Sequence, residues 1–433
     1  LNNRSKEAIK IMIFPAGSEV GLEINNALKY CKNIEVWGAT SVDDHTKFIY
    51  EHVSPQLPYV TDASFIYELN KVLENLKIDF LYPANDEVQY ILTKAAEDIC
   101  TRVVTSPLKT IEICRDKLLT YNFFSTESFI PRMFTSKVEG KEFPIFIKPR
   151  IGHSSIGARR VESREELEQL VDKDSYLLAE YLPGEEYTVD CFTGSNGEIA
   201  FVQPRVRKRT RIGISVRSKK TALDVELLDI AKTINRKLVF IGAWFFQVRK
   251  DTNGDYKLLE ISARIPGTMG LSRNQGVNFP LLTIYEILGI TLDINCNDYD
   301  IEVDRAFISR YQIEHYYNAI YVDFDDTLVI RDRPNVLLIA VLYQAKTQGK
   351  EIYLLTKHDG DIQKTLEKHA IAQELFTEII QIERSDKKCR YIKKKNAIFI
   401  DDSFSERKEI REIHGIPTFD VDMIESLLDW NFF

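Results

Sequence analysis

Short apolar runs of β character alternate with amphipathic helical stretches from one end of the chain to the other. KIMIF is followed by the helical pattern EVGLEINNALKYC and then IEVWG, and later come IDFLYP, RVVTS, PIFIKP and YLLAEYL. Such alternation predicts an α/β, multidomain architecture. The stretch from Ile9 to about Pro107 reads as a small parallel-sheet domain with short helices and polar connections. From about Leu108 to Arg310 the pattern is more antiparallel, with hairpin signals at Ser195-Asn196-Gly197 and Thr252-Asn253-Gly254. Periodicity fades over Tyr311–Asn318 before a new α/β series opens at AIYVDFDDTL, which sets expected domains at 1–107, 108–312 and 318–433. No repeat of 20–50 residues interrupts this order, so a solenoid is not expected.

The longest apolar stretches, Val336–Tyr343 and Leu238–Phe246, are far short of the roughly eighteen residues needed to cross a bilayer, and no membrane association is expected. The opening LNNRSKEAIK is polar and lacks an apolar signal core, although the missing initiator Met leaves earlier residues open. With 44% hydrophobic and 28% charged residues among 433, the composition is that of an ordinary globular protein. The six cysteines lie at least fourteen positions apart, so there is no CxxC pair, and no HExxH occurs among the histidines. Reduced thiols in a cytoplasmic protein are the simplest reading. A net charge of −8 argues against a protein built to coat nucleic acid, while self-association is left open.

Three elements of the middle segment carry candidate chemistry. In FPIFIKPRIGHSSIGARRV, Lys148 ends a strand and a loop with Gly152 and Gly157 follows. An ammonium beside a small-residue loop can cradle phosphate, although the same pattern also makes an ordinary turn. In LLAEYLPGEEYTVD, backbone at Glu180–Leu182 can meet an adenine edge and Glu186 can accept from ribose hydroxyls; a plain acidic linker reads the same way. In AWFFQVRKDTNGDYKLLEISARIPG, Gln247 and Glu260 lie on the two strands of a hairpin, and period two puts Glu260, Ser262 and Arg264 on one face. Oxygen donors on adjacent strands suit Mg²⁺, and Arg264 on that face can hold a phosphoryl group.

In this order and spacing the elements resemble the ATP-grasp superfamily, in its carbamoyl-phosphate-synthetase-like branch, over roughly residues 8–295. Lys117 in CRDKLLTYNFF, the turn YPANDE and the stretch GTMGLSRNQGVNFPLL match as well. The resemblance implies a pre-ATP-grasp parallel-sheet domain followed by an ATP-grasp α+β fold, with ATP and Mg²⁺ as cofactors. It implies Lys117 and Lys148 on ATP phosphates, with Gly152 and Gly157 in the phosphate loop. It also implies Glu180 and Leu182 beside adenine, Glu186 at ribose, Gln247 and Glu260 on Mg²⁺, and Arg264 at the reacting phosphoryl group. The family usually has Asn where this chain has Ser262; Ser262 stays among the implied metal ligands, its shorter hydroxyl reaching Mg²⁺ through water, with occupancy of a second Mg²⁺ site left open. Members activate a carboxylate as an acyl phosphate that an amine or similar nucleophile captures, so small carboxylates and amines are the implied partners. Residues 205–220 hold eight Lys or Arg and no acid, and Arg205 and Arg207 are favoured there as ligands of substrate carboxylate or phosphate over a solvated or nucleic-acid-facing loop.

The last segment carries a second constellation. The apolar strand in AIYVDFDDTL ends at Asp323 and Asp325, EIYLLT ends at Thr356, Lys387 and Lys388 follow, and AIFIDDS ends at Asp401 and Asp402. Carboxylates at the carboxyl ends of buried parallel strands share one rim, where one can attack phosphorus and another can move a proton with Mg²⁺ screening the charge. All four elements resemble the haloacid dehalogenase (HAD) superfamily of phosphatases over about residues 318–433. The resemblance implies a Rossmann-like domain acting on a phosphorylated small molecule. In it Asp323 is the nucleophile, Asp325 the acid/base, Thr356 a phosphate ligand and Lys388 or Lys387 the charge stabiliser. Asp401 and Asp402, with Asp323 and Asp325, would hold Mg²⁺. Only 28 residues separate Thr327 from Thr356 and 30 separate Thr356 from Lys387, so no cap domain is expected.

The leading expectation is a bifunctional enzyme, an ATP-dependent carboxylate–amine ligase joined to a Mg²⁺-dependent phosphatase. Two alternatives stand beside it: a phosphatase whose ATP-grasp part has become a nucleotide sensor, and a non-catalytic module that holds phosphorylated ligands. Free carbamoyl phosphate synthesis is disfavoured, since there is one ATP-grasp unit and no cysteine in a glutaminase-like setting.

Overall fold

The computed structural model describes residues 8–135, 138–152, 156–169, 175–211, 213–290 and 293–432. The chain forms two compact units, Leu1–Phe307 and Ile308–Phe433. The apolar runs of the N-terminal part become strands β1 (Ile9–Phe14), β2 (Ile34–Gly38), β3 (His52–Val53), β4 (Phe80–Pro83) and β5 (Arg102–Val103). They pair in parallel in the order β3-β2-β1-β4-β5. Several helices start where a polar side chain satisfies free N–H groups of the first turn. Asn85 accepts from Val88 N to start Asp86–Lys94, and Asp116 accepts from Leu118 N to start Lys117–Phe123.

A small antiparallel sheet follows, made of β6 (Met133–Phe134), β7 (Ile145–Pro149), β8 (Arg159–Val161) and β9 (Tyr176–Glu180) in the order β6-β9-β7-β8. The larger sheet contains β10 (Glu186–Thr193), β11 (Ile199–Arg211), β12 (Ile214–Lys220), β13 (Gly242–Lys250), β14 (Tyr256–Ser262) and β15 (Glu302–Asp304), ordered β14-β13-β10-β11-β12-β15. Both expected hairpins form, β10 to β11 through Ser195–Gly197 and β13 to β14 through Thr252–Gly254. One face of this sheet is apolar: Val189, Cys191, Trp244, Phe246, Val248, Leu258 and Ile261 share a core with Leu227, Ile230 and Ile234 of the helix Val225–Lys237.

The parts read in the sequence as 1–107 and 108–312 share a hydrophobic core. Ile11, Ile13, Ile24 and Tyr82 pack with Phe192, Ala243, Met269, Phe279 and Ile284. The break into two units therefore falls at Phe307 and Ile308, because β15 returns to the large sheet through Arg217↔Asp304 and Lys219↔Glu302.

The second unit has a parallel sheet of β16 (Ala319–Val322), β19 (Glu351–Thr356), β20 (Glu378–Gln381), β21 (Ala397–Ile400) and β22 (Thr418–Phe419), ordered β20-β19-β16-β21-β22. Between β16 and β19 lie a short hairpin of β17 (Val329–Ile330) and β18 (Arg333–Pro334) and the helix Val336–Thr347. Among the described residues no inserted domain occupies that interval or the one from Thr356 to Lys387.

Trp244 is fully buried, stacks on Phe240 with ring centroids 4.2 Å apart, and donates from Nε1 to Thr193 Oγ1 at 2.8 Å. Trp244→Ala leaves a cavity and removes one of the two hydrogen bonds of the Thr193 hydroxyl, which still donates to Asn235, so chemical denaturation should record a loss of about 3–5 kcal/mol.

Candidate functional sites

In the first unit, the polar face of the large sheet and strand β7 line a cleft with about 640 Å³ of empty space, open to solvent. Gln247 of β13 and Glu260 of β14 stand directly opposite each other. Lys148, near the end of β7, is buried; its ammonium donates to Leu259 O at 2.6 Å and to Tyr121 Oη at 2.9 Å, above the Tyr121 ring. Burial, reinforced by the neighbouring Lys117 charge, lowers its pKa to about 7. Lys117 is set in place by its helix start: Asp116 caps the helix and binds Arg150 at 2.6 Å, and Lys117 N donates to Arg150 O. Its ammonium donates to Gly152 O at 3.1 Å and lies 3.9 Å from Glu260. Gly157 has φ +77°, and a Cβ there would press on Pro149 and Tyr176, so the loop needs glycine at that position. Residues 153–155 of this loop, and Ile212 of the basic run, lie outside the described residues.

The remaining expected residues divide between cleft and core. Glu186 lines the cleft and pairs with Arg207, which also donates to Gln247 Oε1 at 3.0 Å, so Arg207 belongs to the cleft. Arg205 does not. It is buried and binds Asp190 through Nε at 3.0 Å and Nη2 at 3.1 Å, an arrangement that spends its fork on an internal carboxylate. Further along the basic run, Arg209 meets Asp304, Arg217 meets Glu302 and Lys220 meets Asp298, so the acidic segment around β15 neutralises much of it. Leu182 is buried, and Glu180 accepts from Arg132 N at 2.8 Å. Ser262 and Arg264 both bond to Asp86 of the YPANDE turn. Tyr121 and Asp86 each lay inside a quoted motif, but their roles depend on partners far along the chain.

In the second unit, β16, β19 and β21 are adjacent and parallel, so Asp323, Thr356 and Asp401 come to one end of the sheet. Lys388 is buried between carboxylates, 2.7 Å from Asp323 and 2.6 Å from Asp401, whereas Lys387 is exposed and pairs with Glu409. Burial raises Asp401 to about 6, with the Asp323 charge adding to it and Lys388 opposing; burial also raises Asp323 against the same lysine. Carboxylate oxygens of Asp323, Asp401 and Asp402 lie within 4.8 Å of one another, a hard-oxygen donor set of the kind that holds Mg²⁺. Asp325 is not part of that group. Its carboxylate turns to His358 Nδ1 at 2.9 Å, and His358 Nε2 lies 3.1 Å from Thr365 Oγ1. His358, two residues past the strand-ending Thr356, is the residue that sequence reasoning missed here.

Residues 172–309 match the family model described as ATP-grasp in the biosynthetic pathway with Ter operon. A D-alanine–D-alanine ligase of Thermotoga maritima is 37% identical over 98 residues, which is 20% of this chain and 31% of that protein. One from Phocaeicola vulgatus is 32% identical over 63 residues, 13% of this chain and 19% of its own length. The chain thus spans a third or less of the curated relatives it matches. Among solved structures, biotin carboxylase from Campylobacter jejuni superposes with a TM-score of 0.54 at 17% identity, over 66% of this chain and 72% of that one. L-amino acid ligase from Bacillus licheniformis gives 0.53 at 18%, over 66% and 75%. No helix among the described residues is long and apolar enough to cross a membrane. The first unit has the ATP-grasp fold, with its parallel N-terminal sheet, and a separate parallel-sheet unit follows it.

Proposed function

We propose that the first unit is an ATP-dependent ligase that joins a small carboxylate to an amine or similar nucleophile, releasing ADP. The observation that carries this reading is the cleft where Lys117, Lys148, Gln247, Glu260 and Arg207 converge beside the glycine loop. The residues fit a magnesium nucleotide: two ammonium groups for phosphates, and an amide and a carboxylate oxygen on facing strands for the metal. Bound Mg²⁺ would neutralise phosphate charge. Within the protein, Lys148 and Lys117 orient the phosphates, and Arg264 supports the group in transfer. Glu186 is proposed for ribose and the Glu180–Leu182 linker for adenine, with Arg207 serving the phosphate or the carboxylate substrate.

For the second unit we propose a Mg²⁺-dependent phosphatase of HAD type acting on a phosphorylated small molecule. The Asp323–Lys388–Asp401 cluster supports it. Asp323 attacks phosphorus and receives the phosphoryl group, and Lys388 keeps its carboxylate oriented and the pair of acids compatible. Asp325 gives a proton to the leaving oxygen and then takes one from the attacking water, after turning from His358. Thr356 is proposed to donate to phosphate, and Asp401 and Asp402 to hold the metal with Asp323.

Because Lys148 is held near pKa 7 by burial, it is largely neutral at pH 8 in the free protein and charged at pH 6. Polyphosphate beside it restores the charged form, so MgATP binding at pH 8 should take up close to one proton, and at pH 6 almost none. Calorimetry in two buffers of different ionisation enthalpy measures this, and Lys148→Met should abolish the difference. MgATP at about a hundredfold excess over Kd should also stabilise the protein by about 2.7 kcal/mol in a thermal scan. Product analysis should find ADP; AMP with pyrophosphate would exclude the acyl-phosphate route. Asp323→Asn should abolish aryl phosphate hydrolysis and leave ligation nearly intact, while Glu260→Ala should do the reverse. If the wild-type protein with Mg²⁺ hydrolyses no phosphomonoester in a broad panel, the phosphatase reading fails.

A further inference from the structure

Asp86 opens the helix Asp86–Lys94 in the N-terminal sheet region, yet its carboxylate serves residues at the end of β14. Oδ1 accepts from Ser262 Oγ at 2.8 Å and from Arg264 Nε at 2.9 Å, and Oδ2 accepts from Arg264 Nη2 at 2.7 Å. Arg264 Nη1 donates to Ile265 O at 3.0 Å, and its guanidinium carbon stands 5.4 Å from the centre of the Phe245 ring. One turn further on, Gln89 donates to Ala263 O at 2.7 Å, so the start of this helix grips three consecutive residues.

A guanidinium is a planar fork with five N–H donors. Asp86 takes two of them and Ile265 a third, while the Phe245 ring sets the plane. That leaves two N–H groups with fixed directions. The charge is fixed as well. Burial works against an ionised Asp86, but Arg264, Ser262 and Lys117 hold its carboxyl below the usual carboxylate range. Asp86 is therefore an anion facing a permanently charged arginine.

We propose that Asp86 is a positioning residue for the ligase reaction, acting through Arg264: it aims the two remaining N–H groups at the transferring phosphoryl group. The inference rests on the ligase reading above. It assigns a working role to the N-terminal sheet, whose turn supplies the orienting carboxylate, and to Ser262, whose hydroxyl helps hold that carboxylate.

In Asp86→Asn one oxygen becomes an NH₂ group that faces Arg264 Nη2 donor to donor, so the fork loosens while side-chain size is kept. The rate of ADP formation, kcat, should fall about 100-fold, as expected when a catalytic group is displaced by about 1 Å. KM and Kd for MgATP should stay within about threefold. Asp86→Glu keeps the charge but moves the fork by a methylene and should lose at least tenfold in kcat, which keeps the test open if the Asn variant does not fold. Gln89→Leu removes the other tie of the same turn and should lower the melting temperature while sparing kcat. Combining Asp86→Asn with Arg264→Ala should cost no more than Arg264→Ala alone. By NMR, the Arg264 Nε–H signal, assigned by its loss in Arg264→Lys, should exchange slowly in the wild type and rapidly in Asp86→Asn. An unchanged kcat, additive losses, a Gln89→Leu defect equal to that of Asp86→Asn, or an undisturbed Nε–H signal would each overturn the proposal. If the wild type forms no ADP with any carboxylate–amine pair, the ligase reading falls, and the NMR comparison still decides whether Asp86 holds Arg264.

Discussion

The cleft of the first unit depends on a bulge in β14. Gln247 pairs with Glu260 and Val248 with Leu258, which leaves Leu259 without a partner in the ladder. A bulge of this kind costs ladder hydrogen bonds and re-aims the side chains that follow it. Here the released Leu259 carbonyl accepts from Lys148, while Leu258 O accepts from Tyr121 Oη at 2.6 Å. The same irregularity lets Leu258 point into the core while Glu260, two residues later, faces the cleft opposite Gln247. Regular pairing would send both to one face. One extra residue thus sets the lysine, aligns the two oxygen donors and keeps the apolar face continuous.

From that point a polar row crosses the sheet. Glu186 and Arg207 lie beside Gln247, Ser262 and Arg264 run up to Asp86, and Asp190 with Arg205 closes the buried end. These charges remain in a half-buried setting because each has an opposite partner; a lone charge there would shift its pKa or cost several kcal/mol. Lys148 is the exception. Its hydrogen-bond partners are a phenol and a carbonyl, neither of them anionic, and burial with the nearby Lys117 charge depresses its pKa against the opposing pull of Glu260 and Glu186.

The second unit solves a related problem by topology. Parallel neighbours β16, β19 and β21 bring their carboxyl ends together, and a single buried lysine makes two adjacent aspartates tolerable. Crowded acids at one rim favour a cation, and the donor set of Asp323, Asp401 and Asp402 is suited to a hard one.

Strand alternation, the two hairpin turns and the strand-ending aspartates were legible in the chain because each depends on residues within one element or one turn. Lys148 before a glycine loop and Glu260 two positions before Ser262 are local facts of the same kind. What lay beyond the sequence was every pairing across a long interval. In the basic run of residues 205–220, Arg205 and Arg207 read as substrate ligands, yet Asp190 holds Arg205 in the core and the acidic segment around Glu302–Asp304 neutralises other cations of the run. Asp86 meets Arg264 across 178 positions, Lys388 was separated from Lys387 only by which side chain the fold buries, and Asp325 turns from the other aspartates to His358. Residue types and spacing determine which chemistry a segment can offer. Which charges remain available for it is decided by the partners that tertiary packing supplies, because a buried charge binds the nearest opposite one it is given.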